Sequence, residues 1–274
     1  MSNENVDRVF GLGVARAFGG AIIFSLPMLM TMEMWWLGFY MTYWKLALLL
    51  FITIPLLIGL SYYVGFRETF QLKEDALDAL VAYAVGFIAA VPILYLFSVI
   101  SPAMTAGEII GKISLQAIPG SIGALMAQSQ FGENKKQEEA QKENAGYAGE
   151  IFIMMVGALF LSFNLAPTEE MLLIAYKMNT WQLLGLVIFS ILIMHSFVYA
   201  MEFKGHSTPP EGISFWSVFA RYTVVGYAVS LLISFYILWT FGRTDGMDLY
   251  RNISITIVLG FPAAVGAAAA RLII

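Results

Sequence analysis

Cysteine is absent from this chain, histidine occurs twice, and only 12 % of its 274 residues are charged. Without cysteine there is no disulfide framework, iron–sulfur cluster or thiolate metal site. Two histidines leave little for a transition-metal centre, so neither a metal nor another cofactor is expected. HExxH, Walker and nucleophile-elbow patterns are missing too, and no catalytic residue is assigned; the chain is not expected to be an enzyme. "GLGVARAFGG" has the glycines of a dinucleotide loop, but it follows no strand and opens an apolar helix. A formal net charge of -4 argues against a nucleic-acid partner, which needs clustered Lys and Arg. The one dense charge run, "GENKKQEEAQKEN", mixes both signs and reads as a solvated linker.

What fills the chain instead is apolar. Hydrophobic residues make up 59 % and the mean hydropathy is +0.75, far from a soluble domain with about a quarter of its residues charged. Several runs reach the ~20 residues a helix needs to cross a bilayer. The expected fold is all-α and polytopic, with eight transmembrane helices near 12–36, 45–66, 77–101, 106–130, 147–166, 181–203, 214–241 and 251–273. The start lacks a small-residue cleavage site, so the first helix is expected to stay. An even number of spans places both termini on one side. Ten Lys and Arg residues then fall with the termini (Arg8, Arg16, Arg67, Lys73, Lys135, Lys136, Lys142, Lys204, Arg221, Arg271) and five opposite (Lys45, Lys112, Lys177, Arg243, Arg251). That bias predicts cytoplasmic termini.

An offset of 137 residues aligns 20–66 with 157–203 without a gap. It matches Gly20, Ser25, Thr31, Glu33, Met34, Trp44 and Leu46 to Gly157, Ser162, Thr168, Glu170, Met171, Trp181 and Leu183. Further on, "VGF" at 85–87 meets "VGY" at 225–227, and "IPGSIGALMA" at 118–127 meets "FPAAVGAAAA" at 261–270. The expected organisation is two parallel four-helix repeats, 1–130 and 147–274, joined by a polar cytoplasmic linker at 131–146.

Glu33 and Glu170 open the duplicated stretches "EMWWLGFYMTYW" and "EMLLIAYKMNTW". Two readings stand. Beside Pro167, Thr168 and Glu169, Glu170 fits the first turn of a short interfacial helix, where the macrodipole stabilises an acid by about 0.3–1 kcal/mol. As a duplicated pair at one depth, Glu33 and Glu170 would instead attract cations. Glu108, Lys112 and Gln116 follow at i, i+4 steps in the fourth helix, where a charge at mid-bilayer costs about 2.5–3.5 kcal/mol. They are expected near the outer end, where snorkelling or a vestibule relieves that cost. Thr223, Tyr227, Ser230 and Ser234 form a polar stripe on the seventh helix, and His195 lies in the sixth. A packed imidazole is the bland reading of His195 and a proton relay the sharp one. Trp35, Trp36, Tyr40, Tyr43, Trp44 and Trp181 read as an aromatic belt. The small residues of "GFPAAVGAAAA" suit close helix packing inside the protein or, as the lesser option, a homo-oligomer seam.

The eight spans with "SPAMTAGEIIGKISLQAIPGSIGA" and "LAPTEEM" resemble an uncharacterised family of bacterial integral membrane proteins, a domain of unknown function. The resemblance implies a bacterial inner-membrane location and supplies no site residues. From the residues we expect a channel or transporter for small cations, protons among them, with a path between the two repeats. The alternative is a non-transporting scaffold, sensor or assembly factor. The expected partners are the lipid bilayer and the small cations themselves.

Overall fold

The computed structural model describes residues 3–64, 72–130, 146–202 and 215–273. The charge run and most of the expected linker lie outside the described residues. The chain divides into two compact units, Met1–Ala145 and Gly146–Ile274, each described here by itself. Among the described residues there is no strand, and eight helices are long and apolar enough to cross a membrane.

The first unit contains α1 (Asn3–Leu29), α2 (Met32–Tyr40), α3 (Tyr43–Val64), α4 (Leu72–Leu96) and α5 (Ala106–Gln130). The second contains α6 (Gly146–Leu165), α7 (Glu169–Lys177), α8 (Thr180–Glu202), α9 (Phe215–Thr240, with a π-helical turn at Phe219–Val224) and α10 (Leu249–Ile273). Each unit therefore runs long, short, long, long, long. The nine-residue helices α2 and α7 stand at the 137-residue offset, and α5 and α10 are both 25 residues long with an internal proline, Pro119 and Pro262.

The short helices correct one expectation. The first span was expected to run through residue 36, but α1 ends at Leu29 and Glu33 belongs to α2. Thr31 is extended (φ -99°, ψ 122°), as is Met41 after α2 (φ -61°, ψ 135°), so the helix is set off from its neighbours at both ends. Thr168 and Met178 bracket α7 in the same conformation. The threonines do not cap these helices. Each hydroxyl donates backward, Thr31 to the Met28 carbonyl at 2.7 Å and Thr168 to the Leu165 carbonyl at 2.8 Å. Competition of this kind is why threonine sits poorly inside a helix and well at a break.

In the first unit α5 is the hub. It packs against α1, α2, α3 and α4, and 78 % of its membrane-length stretch is buried. Glycine makes this closeness work. A β-carbon on Gly20 would overlap the Gly123 carbonyl, and one on Gly123 would overlap that of Gly20. In the second unit α10 packs against α6, α7, α8 and α9, and Gly157 and Gly266 make the same mutual approach. Close backbone contact of this sort substitutes for the hydrophobic drive that lipid removes.

Candidate functional site

Helix α2 has one buried face and one exposed aromatic face. Met34, Leu37 and Gly38 are buried at steps of three and one, while Trp35, Trp36, Phe39 and Tyr40 are exposed. Gly38 sets it against α5, since a β-carbon there would stand 2.8 Å from the Lys112 backbone nitrogen, and one on Gly111 would overlap the Gly38 carbonyl. Trp35 closes the other side by donating its indole N–H to the Leu29 carbonyl at 2.9 Å. Its indole, with Trp36 and Phe39, then forms the wall of an open pocket of about 360 Å³ whose polar part is Glu108 and Lys112.

The ion pair in this pocket is asymmetric. Lys112 Nζ lies 3.0 Å from Glu108 Oε1, and the lysine side chain is 6 % exposed against 19 % for the glutamate. An ammonium has three protons. Lys112 directs them to Glu108, to the Val99 carbonyl at 3.0 Å and to Met104 Sδ at 3.5 Å. The Val99 carbonyl is brought there by a turn after α4, where Ser98 takes the left-handed conformation (φ 59°) and the Val99 N–H returns to the Leu94 carbonyl at 2.8 Å. The cation is thus enclosed and saturated; both residues line the pocket, and the carboxylate is the more exposed end of the pair.

This placement answers the cost expected for charges on α5. Most of the helix is buried in its own unit, and within it Lys112 is held by a carboxylate, a carbonyl and a thioether of the protein. Gln116, one turn further, is buried and donates to the Ser25 carbonyl at 2.9 Å, while its Oε1 has no hydrogen-bond partner among the described residues.

The other singled-out residues fall elsewhere. Glu33 sits in the first turn of α2, half-buried and outside the pocket lining. Glu169 and Glu170 are exposed in the first turn of α7 in the second unit. The stripe Thr223, Tyr227, Ser230 and Ser234 is buried in that unit. Ser230 donates to the Gly226 carbonyl (2.9 Å) and Ser234 to that of Ser230 (2.7 Å), while Tyr227 packs among Met154, Ala158, Met194 and Ala263. His195 Nδ1 pairs with Thr223 Oγ1 at 2.9 Å, at the π-helical turn of α9. Such turns often mark special sites, but this bond is of an ordinary interhelical kind. Thr223→Val is expected to cost about 0.6–1.7 kcal/mol, as measured for such bonds in membrane helices; reversible unfolding in mixed micelles reads that loss, and cation flux should not change.

Sequence reasoning missed Trp35, Trp36 and Phe39 as pocket walls, because rings beside an apolar span first suggest an interfacial belt. The signal that could have found them is "WWLGFY" itself, in which one glycine follows two indoles and marks the docked face.

The family model described as "Putative integral membrane protein (DUF2391)" matches residues 13–274. The chain belongs to that family. As a member of DUF2391 it is an integral membrane protein, consistent with its eight apolar helices. Neither the curated proteins nor the solved structures offer a match.

Proposed function

We propose that the chain moves small cations across a bacterial inner membrane without altering them chemically, and that they enter at the pocket of Trp35, Trp36, Phe39, Glu108 and Lys112. The carrying observation is the asymmetric ion pair: Lys112 is buried and saturated, and Glu108 is the charge an incoming ion meets. An anion would find no free proton on Lys112. Termini on the cytoplasmic side, which the ten-to-five bias of Lys and Arg supports, would turn this end of the first unit outward. Glu33 in the neighbouring helix would add negative potential near the mouth.

One observation favours the second reading, a non-transporting sensor or scaffold. Along the hydroxyl stripe of α9, Ser230 and Ser234 donate to their own helix, Thr223 pairs with His195 and Tyr227 packs in an apolar core, an arrangement that favours packing over a wet track in that unit.

Flux in liposomes separates the two. Protons, sodium, potassium and alkylammonium ions are offered under an imposed gradient to the parent protein and to the Glu108→Gln/Lys112→Met double variant, which removes the charge without orphaning its partner. The transport reading expects flux above empty vesicles that falls at least about tenfold in the variant, the loss of one charge-assisted contact of about 1.5–3 kcal/mol. No flux from a folded parent, or equal flux from both, would leave the sensor reading.

A further inference from the structure

The second unit shows what belongs in the place that the first unit leaves open. Glu108 is the third residue of α5 and Arg251 the third of α10; Phe39 is the eighth of α2 and Tyr176 the eighth of α7. In the second unit the Arg251 guanidinium stands over the Tyr176 ring, 4.4 Å from its centroid. There the chain supplies its own cation to its own aromatic ring. In the first unit the corresponding ring, Phe39, is joined by two indoles where the second has Leu172 and Leu173, and the corresponding cation is replaced by the carboxylate of Glu108.

We infer that the first-unit pocket binds a compact organic cation, of the alkylguanidinium or alkylammonium type, with its charge against Glu108 and the faces of Trp35, Trp36 and Phe39. This deepens the transport reading by naming its substrate class, and it rests on that reading only for what happens after binding. Three features carry the assignment. Aromatic rings attract cations through their quadrupole, indole most strongly. A metal ion would want several oxygen ligands, whereas this wall is carbon. No group of three or more His, Asp or Glu able to hold a metal occurs among the described residues. A pocket of about 360 Å³ also exceeds what a bare alkali ion fills.

The test is equilibrium binding to the full-length protein in nanodiscs, by calorimetry, with butylguanidinium as probe and neutral butylurea as its isostere. One site for butylguanidinium and none for butylurea is expected. Trp36→Ala removes an exposed ring without touching the buried pair, and it should weaken binding by about 2- to 30-fold, the range spanned by cation–π contacts. Glu108→Arg with Lys112→Ile copies Arg251 and Ile255 into the first unit; it should fill the pocket from within and abolish binding. Equal affinity for butylurea, no effect of Trp36→Ala, or persistent binding in the Arg/Ile variant would overturn the inference. The assay contains no gradient, so its outcome is independent of transport. Binding without flux would sink the transport reading alone, and flux of inorganic ions without butylguanidinium binding would sink this one alone.

Discussion

Glu108→Gln is expected to destabilise the protein by about 3–5 kcal/mol and Lys112→Met by only about 1–3 kcal/mol, with the double variant closer to the parent than either. The order follows from burial. Replacing the carboxylate by an amide removes the only counter-charge of an ammonium that is 6 % exposed and leaves it neutral acceptors alone, the glutamine oxygen, a carbonyl and a thioether. Losing the ammonium strands a carboxylate that is 19 % exposed, opens on the pocket and can be hydrated there. Removing both leaves no buried charge, and methionine conserves the lysine's apolar stem. Unfolding of the four proteins in mixed micelles gives the cycle; a Lys112→Met loss equal to or larger than that of Glu108→Gln would contradict the enclosed-cation geometry.

Gly111→Val is the second large effect. Its side chain would overlap the Gly38 carbonyl, and the obstacle is backbone, which cannot rotate aside as a side chain would. Overpacking in a fitted core costs about 1–3 kcal/mol, and relief here requires α2 to lift from α5. The expected result is a loss near the top of that range together with a red shift of tryptophan emission, because Trp35 and Trp36 travel with α2. Gly185→Ala is the control: a β-carbon there meets nothing within 4 Å, so it should be neutral or stabilising by less than about 1 kcal/mol. A Gly111→Val protein with parental stability and emission would show that α2 is not seated as described.

The spans were legible because hydropathy averages over twenty residues and tolerates error at the ends. The same averaging hid the break at Thr31. Residues 26–44 are mostly apolar on both sides of it, and what ends α1 is one backbone angle and one hydroxyl turned back on the Met28 carbonyl. Glu108 and Lys112 drew attention by their cost in lipid, but the sequence does not say that α5 is largely buried in its own unit or that the two residues pair there. The pocket itself could not be read. Trp36 and Glu108 are 72 positions apart, and the close approach of Gly38 to Gly111 and Lys112 brings their helices together. The duplicated Glu33 and Glu170 drew attention by repetition, whereas the pocket is lined by residues at which the two units differ.

The exposed rings of Trp36, Tyr40, Tyr43 and Trp44 have one further consequence. Indole and phenol side chains favour the level of the lipid headgroups, and the pocket opens beside them. At that level a cation with an alkyl tail is already enriched by partitioning, and anionic lipid enriches it again by roughly 1 kcal/mol per charge. The leaflet thus acts as a planar reservoir. Occupancy of the pocket should scale with the mole fraction of cation dissolved in that leaflet, so apparent affinities measured in zwitterionic and anionic bilayers should differ while the intrinsic one does not.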